Sequence, residues 1–262
     1  MATIDHTCTE TALAPLSSTD CAVVELRRYE LERGRRDELI TLFDREFVES
    51  QEDCGMALLG QFRDLDRPQR YTWLRGFADM GSRLRALQSF YGGPVWQQHR
   101  DAANATMRDV GNVFLLRPAW DCAGLTTRPA LRAPVDAPAS PRERGLVDLT
   151  VFPLRSPADA ALLDFCRSSV VPLLHEGVAR QQGWYVSEAA TNDFPRLPVR
   201  ESEPVLVGLA LFDDAAAFDR FAASGAWTRH VQPRLAAWLS GAPDAQRLAP
   251  TARSALQAGV AR

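Results

Sequence analysis

The stretch Val23-Val24-Glu25-Leu26-Arg27-Arg28-Tyr29 alternates as a strand does. With a period of two, Glu25, Arg27 and Tyr29 share one face, and Val24 and Leu26 share the other. A carboxylate, a guanidinium and a phenol side by side can do chemistry. Arg27 offers a planar fork to a carboxylate or phosphate. Glu25, if buried, is a proton acceptor whose pKa rises with desolvation. Tyr29 can give a proton or contact an oxyanion. A second run, Arg70-Tyr71-Thr72-Trp73-Leu74-Arg75, sets Tyr71, Trp73 and Arg75 on one face. The combined set suits proton transfer next to an anionic or carbonyl group. The competing reading is a buried ion pair that only fixes an interface, since such pairs add little net stability against apolar packing.

The histidines are weaker candidates. His99 and His230 each follow a tryptophan by three residues, which favours a packing role, with pocket-edge acid or base as the alternative. His175, before Gly177, reads as a helix end. The four histidines show no H-E-x-x-H or H-x-E-x-H spacing, and the five scattered cysteines form no C-x-x-C pair. No metal site and no dedicated cofactor are therefore expected. The chain contains no lysine, which excludes a side-chain Schiff base and a P-loop lysine. Lysine depletion in an Ala-, Arg-, Asp- and Pro-rich chain points to a GC-rich bacterial genome.

The 262 residues carry a net charge of −3, with 46% hydrophobic and 24% charged residues. That balance fits a soluble globular protein and gives neither a nucleic-acid nor a membrane-surface footprint. No run is long enough to span a bilayer. Residues 1–21 read as a disordered polar leader without secretory features, and a cytoplasmic location is expected.

The elements that must position these residues occur twice. Val23–Phe43 lies over Leu146–Cys166, so Glu25 falls on Asp148, Arg27 on Thr150 and Tyr29 on Phe152. The same offset pairs Gly60 with Gly183 and Phe62 with Tyr185. A longer loop in the second copy, around Asn192–Pro204, interrupts the match. It resumes with Gly76–Met80 over Leu211–Ala215 and ends with Trp96–His99 over Trp227–His230. In the first copy, strands are expected near 22–31, 56–63, 70–77 and 112–117, with helices near 35–53, 79–90 and 94–107. In the second, strands are expected near 146–154, 182–189, 204–212 and 245–249, with helices near 157–180 and 214–240. The order is that of a ferredoxin-like βαββαβ unit. The expected fold is α+β: units 22–118 and 145–250, fused through a Pro/Ala-rich linker at 119–144 and followed by a loose tail at 251–262. Two such sheets face to face make a pseudo-symmetric dimeric α/β-barrel within one chain.

The quoted residues also resemble a known family. The E-x-R-x-Y strand of Glu25, Arg27 and Tyr29 leading to Gly34, the run Arg70–Arg83 and the segment Pro94–His99 resemble NIPSNAP-type proteins over about 22–117. The second copy keeps only the acid, at Asp148. The resemblance implies the dimeric α/β-barrel superfamily, whose members include cofactor-free oxygenases, cyclases, isomerases, dehydratases and heme-degrading enzymes. In the fold so implied, Val24 and Leu26 pack under the helices and Glu25, Arg27 and Tyr29 point into the barrel. Asp148, Thr150 and Phe152 then face them across it, and Trp184 lines the wall. Glu25, Arg27 and Tyr29 are the expected catalytic set, with Tyr71, Trp73, Arg75, Asp148, Phe152 and Trp184 as substrate contacts. The function expected is acid/base chemistry (isomerisation, cyclisation, dehydration or bond cleavage) on a small anionic or carbonyl-bearing metabolite, in bacterial specialised metabolism. A non-catalytic binding or scaffold protein and a cofactor-independent oxygenase are the alternatives. The partner is a small molecule, and the protein is a monomeric pseudo-dimer or a homodimer.

Overall fold

The computed structural model describes residues 16–137 and 144–258. In the first half run β1 (Val23–Leu31), α1 (Arg36–Leu42), α2 (Val48–Glu52), β2 (Ala57–Asp64) and β3 (Arg70–Phe77). They are followed by α3 (Met80–Gly92), α4 (Pro94–Asn104), a short β4 (Met107–Asp109) and β5 (Val113–Pro118). The second half has β6 (Leu146–Pro153), α5 (Ala160–Phe165), α6 (Val171–Glu176), β7 (Gln181–Ser187) and β8 (Val205–Phe212). It ends with α7 (Ala215–Ala223), α8 (Ala226–His230), α9 (Gln232–Leu235) and β9 (Asp244–Pro250). The expected strands are present within two residues of their bounds; the short β4 is additional to them.

The first half has strand order β2-β3-β1-β5 and the second β7-β8-β6-β9, all antiparallel. Pairing of β5 with β7 and of β2 with β9 joins the halves at both edges and closes eight strands into a barrel. Closure leaves no free strand edge, apart from the short β4 added beside β1. Helices pack outside each half. Both α1–α2 and α5–α6 are interrupted by a π-helical turn at matching positions, Phe43–Phe47 and Cys166–Val170. Asp79 caps α3 by accepting from the Ser82 N–H, and Asp214 caps α7 by accepting from that of Ala217. These shared details pin the register between the halves.

The barrel core is mainly hydrocarbon. Val24, Leu26, Leu74, Phe114, Val147, Leu149, Val151 and Leu209 meet there. Gly60 makes room for the Phe62 ring and Gly183 for Leu125 and the Tyr185 ring, so a Cβ at either position would collide. An eight-stranded barrel is just wide enough to be filled by side chains. This reverses one expectation. Val24 and Leu26 face the barrel, and Glu25, Arg27 and Tyr29 lie under the helices. The buried polar groups on the barrel side, Arg28, Asp64, Thr72 and Gln246, pair among themselves or with Asp244, and the rest is packed hydrocarbon.

Three segments expected to be loose are packed. Of the leader, only residues 16–21 fall among the described residues; Leu16 packs against the barrel core and Cys21 is buried in it. Of the linker, Ala119, Ala123 and Leu125 are buried, and Arg132 pairs with Glu52 at 2.7 Å. Of the tail, Leu256 enters the barrel core, and Arg253 holds the main-chain carbonyls of Ala133 and Asp44. These runs close the barrel over its apolar filling. Among the described residues no helix is long and apolar enough to cross a membrane. Replacing the fully buried Leu256 by Ala should therefore cost about 2–5 kcal/mol, as for other buried leucines. Urea unfolding measures this, and an unchanged midpoint would show that the segment carries no stability.

Candidate functional site

The cleft between sheet and helices of the first half is built on the β1–β3 register. Glu25 lies opposite Arg75, Arg27 opposite Trp73 and Tyr29 opposite Tyr71. All six side chains thus line one floor, as their shared faces imply. Glu25 is wholly buried and bound by three guanidinium groups. Arg27 Nη1 donates to it at 2.8 Å, Arg75 Nε at 2.9 Å and Arg83 Nε at 2.8 Å. Burial alone would push this carboxyl's pKa up; Arg75, Arg27 and Arg83 outweigh burial and hold it well below the usual carboxylate range. Glu25 thus holds three arginines together, an arrangement less suited to accepting a proton than the sequence reading expects.

Each arginine spends its remaining donors differently. Arg75 Nη1 donates to Gln51 Oε1 at 3.0 Å. Arg83, from the first turn of α3, reaches Asn192 at 3.1 Å and pairs with Asp193. Arg27 Nε donates to the Tyr29 hydroxyl at 2.8 Å, but its Nη2 has no protein partner although it is buried. The Trp73 indole N–H and the Tyr71 hydroxyl are likewise buried without one. Burial pushes the Tyr29 and Tyr71 phenols up, so both keep their protons. With its oxygen accepting from Arg27, Tyr29 is free to donate its own proton elsewhere.

A cavity of about 470 Å³ opens onto part of this floor; Glu25, Tyr71 and Arg75 lie beneath its lining. Arg27, Tyr29 and Trp73 form its floor, with Gln51 beside them. Phe43 and Phe47 from the π-helical turn, Phe90 and Tyr91 from α3, and Trp96 from α4 form its walls. The aromatic rings meet edge to face: Phe43 on Trp73 at 4.9 Å, Phe47 on Phe90 at 5.8 Å and Tyr91 on Trp96 at 4.9 Å between centroids. The Arg27 guanidinium lies 5.7 Å from the Trp73 ring centre. The cover comes from the other half. In the long loop between β7 and β8, Phe194 stacks on Tyr91 at 5.9 Å, and Arg196, Leu197 and Pro198 line the cavity.

The matching cleft of the second half is nearly filled. Asp148, Thr150 and Phe152 face its own helices rather than Glu25, because Val147, Leu149 and Val151 are the residues that enter the barrel. Their placement opposite the first strand is thus corrected. Register puts Ala210 where the first half has Arg75, and Gly208 where it has Trp73. The matching helix cap puts Phe218 where it has Arg83. Trp184 lies against Gly208, so closely that a Cβ there would be 2.8 Å from its ring, and only about 20 Å³ remains. Trp184 therefore fills the second cleft and does not line the first. His99 sits off the cavity, 3.6 Å from Glu46 and edge-on to Phe47. His230 is exposed at the end of α8. Among the described residues no cluster of His, Cys, Asp and Glu could hold a metal ion.

Sequence reasoning misses Gln51, Phe43, Phe47, Tyr91, Phe194 and Arg196. Phe43 and Phe47 read as core, which they also are. No local signal could place the loop of one half over the cleft of the other.

Residues 24–120 match the NIPSNAP family model. No curated protein matches the chain by sequence. Among solved structures, the fold is similar to that of a proposed monooxygenase from Lactobacillus acidophilus, at 11% identity and a TM-score of 0.54, over 90% of this chain and 99% of that one. A proposed monooxygenase from Fusobacterium nucleatum gives 8% identity and a TM-score of 0.55, over 90% and 96%. An anthrone oxidase-like protein gives 12% identity and a TM-score of 0.51, over 92% and 97%. At such identities the likeness is one of fold, a mixed α/β architecture spanning both halves.

The buried charges lead to two measurable outcomes. Glu25→Gln leaves three buried guanidinium groups without their shared anion and should cost about 3–5 kcal/mol in chemical unfolding. A loss below about 1 kcal/mol would mean that the arginines find other partners. Asp148 has no guanidinium beside it, and burial pushes its carboxyl up to about 6, opposed only by a hydrogen bond with Thr150. The folded state then holds this proton to a higher pH than the unfolded state. Stability from this group falls as pH rises from about 4 through 6. Asp148→Asn should flatten that slope and raise stability at pH 7 by about 1–2 kcal/mol. Melting curves from pH 4 to 8 measure both effects, and an unaltered slope would rule out Asp148 as its source.

Proposed function

We propose that the protein is an enzyme for a small, largely aromatic metabolite bound as an oxyanion in the first cleft. The observation that carries this is the buried Arg27 guanidinium, with Nη2 unpaired, in the lining of an aromatic cavity. The charge count supports it. Arg27, Arg75 and Arg83 face Glu25 and Asp193, which leaves one positive charge over in the cluster. A phenolate, enolate or carboxylate oxygen would take up that charge and the two free donors, Arg27 Nη2 and the Tyr29 O–H. In a water-poor site such donors act strongly on charge that develops during a reaction. Arg27 is the anchor of the oxyanion, and Tyr29 is its second donor.

With Glu25 tied to three arginines, chemistry that depends on stabilising a substrate anion is favoured over chemistry that needs Glu25 as a base. Enolisation-type isomerisation is one such reaction. Cofactor-independent oxygenation, in which the substrate anion itself reduces oxygen, is another. The fold shared with proposed monooxygenases and an anthrone oxidase-like protein is consonant with the second. We further read the two halves as fused copies, of which the first keeps the site. The pinned Glu25 carboxylate also favours a second reading, a non-catalytic carrier of the same anion.

The test uses 2-naphthol, whose absorbance reports its ionisation, and an enolisable anthrone. Wild type should lower the apparent pKa of bound 2-naphthol by about one to two units, as a neighbouring positive charge does. Arg27→Met should abolish this shift. Oxygen uptake or isomerisation of the anthrone, lost in Arg27→Met and reduced in Tyr29→Phe, would establish catalysis. Ionisation without turnover supports the carrier. Absence of the ionisation shift in wild type would sink the oxyanion site itself.

A further inference from the structure

The cavity has a second cationic pole, at its mouth. Arg100 of α4 and Arg196 of the β7–β8 loop both line it and are exposed. One acidic residue, Asp101, lies among the lining residues, 3.5 Å from Arg100 Nε. Asp101 balances Arg100, which also donates to Gln97 at 2.9 Å. Among the described residues Arg196 makes no ion pair or side-chain hydrogen bond. The floor cluster of Arg27, Arg75 and Arg83 therefore carries one unmatched positive charge, and the mouth another, on Arg196. Rings of Phe43, Phe47, Tyr91 and Phe194 share the lining with Arg27 and Arg196.

The loop that carries Arg196 is built to stay in place. Asn192 Nδ2 donates to the Leu197 carbonyl at 2.8 Å, and the Phe194 N–H donates to Asn192 Oδ1 at 3.2 Å. Asn192 Oδ1 and Asp193 are held by Arg83, the same arginine that binds Glu25. Phe194 is buried against Tyr91. The network that fixes the inner pole thus also fixes the segment that bears the outer one.

We infer that the ligand is a dianion: an aromatic body with one oxyanion for Arg27 and a second acidic group, such as a carboxylate, for Arg196. This deepens the oxyanion reading and rests on it. Arg196 would be a specificity determinant supplied by the half that has lost its own cleft. Its exposure sets the scale, since a solvent-facing pair contributes up to about fivefold in affinity. The inner contact, being desolvated, should matter more.

Calorimetric titration of the full chain with 2-naphthoate, naphthalene-2,6-dicarboxylate and biphenyl-4,4′-dicarboxylate separates the two poles. At low salt, wild type should prefer at least one dicarboxylate to the monoanion by about threefold to fivefold. Arg196→Gln should remove that preference and leave 2-naphthoate binding unchanged, and Arg196→Lys should restore part of it. Arg27→Met should weaken all three probes. The preference should shrink between 20 and 200 mM salt, because an exposed charge is screened. Equal binding of the three probes by wild type, or a preference that survives Arg196→Gln, overturns the dianion inference while leaving the inner site intact. Binding that ignores Arg27→Met, or no binding of any probe, overturns the oxyanion reading and this inference with it.

Discussion

The cleft of this protein depends on one carboxylate shared by three guanidinium groups. Glu25 sits near the start of β1, fully buried, and Arg27, Arg75 and Arg83 converge on it from β1, β3 and α3. Taking an ion from water into a protein interior carries a desolvation cost of several kcal/mol even after relaxation. One carboxylate cannot offset three such costs alone. The remaining donors must find acceptors, and most do: Arg75 on Gln51, Arg83 on Asn192 and Asp193. Those demands fix the geometry around the cleft. Gln51 must face inward from α2, and the long loop of the second half must reach over α3. Arg27 Nη2, left over at the end of this chain of pairings, is what gives the cavity a chemical character.

The second half shows the same position without the network. Asp148 matches Glu25, yet Thr150, Ala210 and Phe218 stand where the arginines would be. The two carboxyls respond in opposite directions. Glu25 is held well below its ordinary range by the guanidinium charges, while burial pushes Asp148 up to about 6. The scaffold is shared, down to the π-helical turns and the aspartate caps, so the scaffold does not set these values. Neighbouring charge sets them. Once the arginines are gone, nothing keeps a polar cleft open, and Trp184 closes over Gly208.

Much of this is legible in the amino-acid sequence. Residues on one strand face stay on one face whatever the tertiary arrangement. Strand periodicity alone therefore groups Glu25, Arg27 and Tyr29, and likewise Tyr71, Trp73 and Arg75. The matched spacing of glycines and aromatics groups the strands into two sets of four, the sets whose sheets close on each other. Which face meets the helices is not legible. β1 is buried on both sides, so its alternation carries no contrast between core and solvent. The deciding fact is the barrel's capacity, a property of eight strands closing together. Arg83 and the Asn192–Pro198 loop are beyond reach for a different reason. Their partners lie about a hundred residues away, and a helix-face arginine or a Pro-rich loop looks locally like solvent-exposed surface.

The dependence of one half on the other follows from the same electrostatics. A βαββαβ unit leaves one sheet face bare, and closing the barrel with a second unit buries it. That use of the second unit needs only its sheet. The contact between Arg83 and the Asn192–Asp193 pair is a different kind of dependence, because it lets the second unit's loop complete a charge network in the first. A loop held only by apolar contacts could slide, since such contacts are not directional. A guanidinium that has already committed Nε to Glu25 can offer its remaining donors in one plane only, which fixes where the loop's acceptors must lie. The second half has no such arginines of its own, yet its loop is tied to the first half's site and remains part of the wall that any ligand of Arg27 must meet.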